Sequence, residues 1–262
     1  MGMLGAPTIR LRAQMRDPYY LIRIIPAEGG SIMLYNSDGG LTTFGYTLVA
    51  VLVFALIILI SVITDKNKKI GVTQIAFTAM AIALATVFSF LKIIDMPMGG
   101  SVTLMSMFLV TLVAYWYGPT AGILGGIVYG LLQMAIDPYI VSIPQLLIDY
   151  IFAFGALGIA GFFRNRKNGI IWGYVFGILG RFFFSTLSGI VFFGMYAPES
   201  FSMFGRDIPL NAYTYSILYN GGYIFTEGIL TIVVLMIPAV RKSMEYIKRM
   251  AIGTNTRRKE SA

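Results

Sequence analysis

The stretch IPQLLIDYIFAF, residues 143–154, places one acidic residue, Asp149, beside Tyr150 in an otherwise apolar run. If this run crosses a membrane, an ionised carboxylate there costs about 3 kcal/mol or more, so it has to face the protein interior and find a partner. We expect that partner to be a cationic ligand. The alternative is a carboxylate that accepts hydrogen bonds from tyrosine hydroxyls or asparagine amides.

The composition of the whole chain is that of a membrane protein. Of the 262 residues 57% are hydrophobic and 12% are charged, and the mean hydropathy is +0.76, whereas soluble domains carry about 25% charged residues. Cysteine and histidine are both absent, which excludes thiol nucleophiles, imidazole bases and the usual zinc or haem ligands. We therefore predict no catalytic site, no metal site and no cofactor.

The apolar runs predict an all-α polytopic membrane protein, because each is near the length that crosses about 30 Å of hydrocarbon. A helix at 44–64 follows an N-terminal extension, 1–43, that we expect to be disordered. Further runs lie at 70–94, 102–117, 120–136, 141–163, 169–195 and 214–240. A basic tail, 241–262, ends the chain.

Basic residues in alternate loops predict the orientation of these helices. They are Lys66, Lys68, Lys69, Arg164, Arg166, Lys167, Arg241 and Lys242. Loops rich in lysine and arginine stay in the cytoplasm, so these loops and the C-terminus are predicted to be cytoplasmic. The net charge of +8 is concentrated in these orientation signals, and we predict no nucleic-acid partner.

This orientation puts residues 1–43 and their arginines on the outer side, against the positive-inside trend. A start at Met33 would resolve the conflict, since it leaves a short tail with Asp38 and no basic residue. The alternative is that an arginine-bearing tail is translocated despite the trend.

Three ionisable side chains fall well inside the predicted bilayer. Counted at about 1.5 Å per residue along their helices, Arg181 and Glu227 lie at matching depth. We predict that they form a structural ion pair. Asp149 is shallower and unmatched, which is the arrangement expected where an incoming cation supplies the missing charge.

Aromatic and polar residues gather at the depth of Asp149. They are Tyr139, Tyr150, Ser185, Phe193, Tyr215, Tyr219 and Asn220. Such a set can stack on a flat ring, hold a cation against aromatic faces and hydrogen-bond to ring nitrogens. A single tyrosine could instead be a lipid anchor at the membrane interface, but the combination with a buried carboxylate and amide favours a binding site.

Alanines in the run 70–94 form a face of small residues. Ala79 and Ala83 are spaced one helical turn apart, a pattern that lets another helix approach closely. The partner helix is either another protein or a neighbouring helix of the same bundle.

Five longer motifs follow one another in the same part of the chain. They are MPMGGSVTLMSM (96–107), GILGGIVYGLLQ (122–133), QLLIDYIFAF (145–154), SGIVFFGMYAPES (188–200) and YSILYNGGYIFTEGI (215–229). In order and spacing they resemble the thiamine-specific substrate-binding (S) component of energy-coupling factor (ECF) vitamin transporters, over about residues 70–240. The helix at 44–64 lies outside the usual six-helix unit of that family.

The resemblance implies a six-helix S-component bundle, with one extra N-terminal helix, in the cell membrane of a bacterium. It would capture thiamine or a close relative from outside and deliver it through one transmembrane coupling protein and two ATPase subunits. The implied substrate-binding residues are Tyr139, Asp149, Tyr150, Ser185, Gly189, Phe193, Tyr215 and Asn220. The implied contact with the coupling protein is made by Ala79 and Ala83.

The chain departs from the family pattern at the predicted site. Asp149 is one methylene shorter than the usual glutamate, Ser185 replaces a histidine, and Phe193 replaces a stacking tryptophan. A second tryptophan is missing before Pro97. Each loss is worth about 1 kcal/mol or more of binding, so a pyrimidine or thiazole precursor of thiamine is an alternative ligand.

Two other classes of protein were weighed. A membrane enzyme would need a nucleophile or a metal set, for which the chain offers few residues. A stand-alone secondary transporter, coupled to protons through Asp149 or Glu227, predicts uptake without ATPases and an inverted repeat, and we find no such repeat in the sequence.

Overall fold

The structure is a computed structural model that describes residues 42–65, 70–96, 99–194, 197–198, 200–203 and 206–253. The predictions for residues 1–41, including the disordered extension and the Met33 start, lie outside these residues. The basic loop 66–69 lies outside them as well.

The described residues fold into helices joined by short connections and two hairpins. The helices are α1 (Thr43–Thr64), α2 (Val72–Ser89), α3 (Ser106–Tyr117), α4 (Pro119–Ile136), α5 (Ile143–Phe163), α6 (Gly169–Phe193), α7 (Ala212–Met236) and α8 (Pro238–Ile252). The antiparallel hairpins pair β1 (Lys92–Asp95) with β2 (Ser101–Thr103), and β3 (Ser200–Met203) with β4 (Arg206–Pro209). All but α3 and α8 are long and apolar enough to cross a membrane, which confirms the predicted all-α polytopic fold.

The run predicted to span at 102–117 forms a shorter helix. Helix α3 has 12 residues, or about 18 Å, and most of its side chains are buried in the centre of the bundle. The preceding residues are extended because β2 pairs with β1, which also ends α2 at Ser89 rather than at the predicted residue 94. Hydropathy alone cannot distinguish such a buried strand from a helix.

Helix α4 packs directly against the backbone of α5. A Cβ atom added at Gly126 or Gly130 would collide with the backbone carbonyls of Phe154 and Tyr150. Glycine at these positions therefore lets the two helices approach at backbone distance, and this contact fixes the segment that carries Asp149.

Helix α5 is irregular along its length. Its first turn, Ile143–Leu146, is α-helical, but Leu147–Phe152 forms a π-helix. A short α-helical turn then leads into a 3-10 helix at Ala156–Phe163. A π segment is often found at functional sites, and here it contains Asp149. Helix α6 also ends in a π segment, at Gly189–Phe193.

The extra helix α1 packs on the outside of α5 and α6. Phe54 stacks on Phe152, with ring centroids 4.5 Å apart, and meets Phe184 edge to face at 5.9 Å. At the end of α1, Asp65 forms a salt bridge of 3.4 Å with Arg164, the residue that follows α5. Helix α1 is thus a packed part of the bundle.

The predicted tail begins as a helix rather than as loose chain. A single residue, Ile237, separates the end of α7 from Pro238, which starts α8. Lys248 donates to the carbonyl of Arg164 at 2.9 Å and lies 3.8 Å from the ring centroid of Tyr115, whose hydroxyl donates to Glu245 at 2.9 Å. These contacts hold α8 against the end of the bundle opposite the β1–β2 hairpin.

Candidate functional site

A cavity of about 340 Å³ lies between the first hairpin and helices α3 to α7. Its volume falls within the roughly 300–1,000 Å³ typical of small-molecule sites. Each of the predicted substrate-binding residues lies in its wall: Tyr139, Asp149, Tyr150, Ser185, Gly189, Phe193, Tyr215 and Asn220. The sequence therefore located the cavity, and the binding role of these residues stays a prediction.

The carboxylate of Asp149 is held by one of its two oxygens. Oδ2 accepts hydrogen bonds from Gln145 Nε2 at 2.7 Å and from Ser188 Oγ at 2.9 Å. No donor among the described residues reaches Oδ1. The donors are not the tyrosine or asparagine of the alternative we considered, and sequence reasoning missed both of them. Gln145 could have been found, because an amide four residues before a carboxylate faces it on a helix.

Gln145 also fixes the loop that leads into α5. Its Oε1 accepts from the backbone N–H of Val141 at 3.0 Å, and its Nε2 donates to the carbonyl of Tyr139 at 3.1 Å. The hydroxyl of Tyr150 accepts from the N–H of Tyr139 at 2.9 Å and donates to the carbonyl of Asp137 at 3.3 Å. Tyr150 therefore supports the loop through its hydroxyl and presents its ring to the cavity.

Two pairs of aromatic rings form part of the wall. The centroids of Tyr139 and Phe193 are 5.7 Å apart, and those of Tyr215 and Tyr219 are 5.8 Å apart. The hydroxyl of Tyr219 accepts from the N–H of Gly100 in the hairpin at 3.0 Å. These rings face the cavity, so they do not act only as lipid anchors.

The polar residues of α6 and α7 meet where Gly189 allows close contact. A Cβ atom on Gly189 would lie 2.8 Å from Ser216 Oγ. Asn220 donates one amide hydrogen to the Ser216 carbonyl at 3.0 Å and accepts from the Tyr223 hydroxyl at 3.0 Å. The second amide hydrogen of Asn220 has no partner among the described residues. Ser185 lies in the same wall and is 7% exposed.

The predicted ion pair between Arg181 and Glu227 does not form in the structure. Among the described residues, no nitrogen of Arg181 lies within 4.0 Å of a Glu227 oxygen. Glu227 accepts instead from the N–H and Oγ1 of Thr103, at 3.1 and 2.6 Å. The guanidinium carbon of Arg181 lies 4.2 Å from the ring centroid of Phe154. Matching depth was insufficient to predict an ion pair, because depth does not fix the direction in which each side chain points.

The mouth of the cavity carries an ion pair that sequence reasoning did not find. Lys92 of β1 donates to Asp137 at 2.9 Å and to Asp95 at 3.4 Å. The hydrogen bond to Asp137 raises the pKa of Lys92 above its usual value, so this lysine is positively charged at neutral pH. No sequence signal links these residues, because Lys92 and Asp137 are 45 positions apart.

The described wall has a formal charge of −1. It contains three carboxylates and two cationic side chains: Asp137, Asp149, Glu227, Lys92 and Arg181. The described residues contain no group of three or more acidic residues placed to hold a metal ion. One positive charge would balance the formal charge of this wall.

The alanine face predicted on α2 is on the surface. Ala79 and Ala83 are exposed, whereas Ala81 and Ala85 are 4% and 0% exposed and pack inside the bundle. The alternative of internal packing thus applies to the second pair and not to Ala79 and Ala83.

Comparison with known proteins identifies the family. The family model for thiamine transporter proteins (Thia_YuaJ) matches residues 75–247. The chain belongs to this thiamine transporter family. The thiamine transporter ThiT of Bacillus subtilis (strain 168) is 31% identical over 185 residues, which cover 65% of this chain and 91% of the relative.

A solved structure extends the thiamine transporter family assignment to the fold. ThiT from Listeria monocytogenes is 25% identical and has a TM-score of 0.50, with coverage of 63% of this chain and 94% of that one. The family that the motifs predicted is therefore confirmed, and relatives are named as transporters rather than enzymes. Helix α1 precedes the matched residues.

Proposed function

We propose that this protein takes up thiamine, or a close relative, as the substrate-binding component of an ECF-type importer in a bacterial cell membrane. The observation that carries the proposal is that Asp149 Oδ1 accepts no hydrogen bond from the described residues and lies in the wall of a cavity of suitable size. Membership of the thiamine transporter family supports the choice of ligand.

The charge of thiamine fits the wall of the cavity. Its thiazolium ring carries one permanent positive charge, and the described wall has a formal charge of −1. Asp149 Oδ2 is already occupied by Gln145 and Ser188. Oδ1 is therefore the carboxylate oxygen that can face the cation, and two unit charges about 4 Å apart attract by about 4 kcal/mol at an effective dielectric of about 20.

The aromatic pairs suit the two flat rings of the ligand. Tyr139 with Phe193, and Tyr215 with Tyr219, form two aromatic pairs in the wall of the cavity. Offset stacking on such faces contributes about 0.5–1.5 kcal/mol for each pair. The free amide hydrogen of Asn220 can donate to a pyrimidine nitrogen.

Coupling to the ATP-driven module is proposed at the alanine face of α2. The exposed Ala79 and Ala83 let a helix of a transmembrane coupling protein approach closely. The coupling protein would connect this chain to two ATPase subunits. In this arrangement the β1–β2 hairpin faces outward, and the basic Arg164 and α8 lie on the cytoplasmic side, as the positive-inside rule favours.

The test separates ligand binding from transport. Native mass spectrometry and calorimetry of the purified protein should detect thiamine, and uptake in cells should require the ATPases. Ala79→Trp should abolish uptake and leave affinity unchanged. Ala55→Trp places the same side chain on an exposed position of α1 and should leave both unchanged.

Two other outcomes would contradict parts of this proposal. Uptake that survives loss of the ATPases would support a proton-coupled secondary transporter. Binding that disappears in Ala79→Trp would show that this exposed face also supports the cavity, and would count against a role of Ala79 in coupling alone.

A further inference from the structure

Strands β1 and β2, together with Gly99 and Gly100, form one wall of the cavity, which we call the roof. Gly100, Ser101 and Thr103 of the roof line the cavity. The roof leads into α3, which starts inside the bundle rather than at its surface. Backbone N–H groups at the start of a helix lack partners within the helix, and inside a membrane protein each must find one.

The local sequence does not supply these partners. Met105 is the N-cap residue of α3, has a left-handed backbone with φ of 58°, and makes no side-chain cap. A methionine side chain offers only a weakly accepting sulfur. The start of α3 therefore depends on an acceptor from elsewhere in the bundle.

Glu227 of α7 is that acceptor. Its side chain is 2% exposed, and one oxygen accepts from both donors of Thr103, at 3.1 and 2.6 Å. The other oxygen accepts from the N–H of Met107 at 3.0 Å and from Ser106 Oγ at 3.3 Å. One carboxylate thus caps α3 and binds the last residue of β2.

Helix α7 also holds the roof at a second point. The hydroxyl of Tyr219 accepts from the N–H of Gly100 at 3.0 Å, two helical turns before Glu227. These contacts fix the roof to the helix that also carries Tyr215 and Asn220 of the cavity wall.

We propose that Glu227 is a positioning residue: it anchors the roof to α7 and so sets how often the cavity opens. This role rests on the proposed function only in that the roof covers the proposed thiamine site. The anchoring itself can be measured without any ligand.

The absence of cysteine from the chain allows a direct measurement. Ser101→Cys places a single thiol on the roof, and its rate of reaction with a maleimide reports opening. Glu227→Gln keeps the shape of the side chain but puts amide donors among backbone donors. Loss of charge-assisted bonds should raise the labelling rate on the order of tenfold.

Three controls separate anchoring from general loosening. Ser61→Cys places the thiol on α1, where Ser61 is 0% exposed, and its labelling should not change with Glu227→Gln. Glu245→Gln changes a carboxylate at the opposite end of the bundle and should not affect the roof thiol. Thr103→Val removes one donor to Glu227 and should raise roof labelling by a smaller factor, and it also serves if Glu227→Gln does not fold.

The outcomes are distinct. Selective acceleration at the roof in either variant supports the proposal. Equal acceleration at Ser61→Cys, or rates within about twofold of the parent in the folded variants, overturns it. Added thiamine should slow roof labelling in the parent; failure of that step alone would count against the proposed ligand and not against the anchor.

Discussion

Replacing Asp149 by asparagine should remove the charge that recognises the ligand while leaving the fold intact. Both hydrogen bonds to this residue, from Gln145 and Ser188, end on the same oxygen, Oδ2. The amide oxygen of asparagine can take that place and keep both bonds. The amide nitrogen then faces the cavity where Oδ1 stood.

The size of the effect follows from the loss of one charge in contact with a cation. Two unit charges about 4 Å apart attract by about 4 kcal/mol at an effective dielectric of about 20, and part of this is offset by desolvation. We expect a net loss of about 1.5–3 kcal/mol, the range for hydrogen bonds to charged groups. Thiamine affinity should therefore fall about 10- to 150-fold.

Calorimetry with two ligands and a matched variant tests this expectation. An uncharged thiamine analogue should lose less than about threefold between wild type and Asp149→Asn. Asp137→Asn also removes one carboxylate from the wall, but Asp137 is 62% exposed and paired with Lys92. Because exposed charges are screened, its effect on thiamine should be much smaller. Equal losses for the charged and the uncharged ligand would refute the assignment of Asp149 to the cation.

Three further substitutions test the packing around the cavity. Gly189→Ala should lower the free energy of unfolding of the purified protein by about 1–3 kcal/mol, because the added Cβ would press on Ser216. Unchanged stability and affinity would contradict this contact. Phe54→Ala removes two aromatic contacts of α1. It should lower the free energy of unfolding by about 1–3 kcal/mol and change the affinity for thiamine little. A large loss of affinity would assign α1 a direct role in the site. Tyr150→Phe removes the acceptor of the Tyr139 N–H. It should weaken the binding of charged and uncharged ligands alike, by about 1 kcal/mol in a binding titration. A loss confined to the charged ligand would place the Tyr150 hydroxyl against the cation.

The helices and the wall of the cavity were accessible from the sequence because their signals are local. Apolar runs gave the long helices, and a carboxylate inside such a run marked Asp149 as a residue that needs a partner. Aromatic and polar residues at the same depth then marked Tyr215 and Asn220, and the motifs gave the family. In each case a few neighbouring residues carry the information.

The contacts that arrange the cavity were not accessible, because they join residues far apart in the sequence. The pairing of β1 with β2 turned the end of one predicted helix and the start of the next into strands. Glu227 was assigned to Arg181 by depth, but its partners are donors at the end of β2 and the start of α3. Ser188 reaches Asp149 from another helix. Side-chain direction and strand pairing decide such contacts, and the hydropathy pattern predicts neither.

The tether on Asp149 links tight capture to the route of release. Because Gln145 and Ser188 hold the carboxylate before the ligand arrives, binding requires little rearrangement of that group, and preorganisation of this kind favours affinity. A rotation of Asp149 would have to break both of these hydrogen bonds. Gln145 also holds Val141 and Tyr139, so a shift of Gln145 would disturb the loop that carries the Tyr139 ring. In the proposed transporter, reorientation of Asp149 and movement of this loop would therefore be coupled.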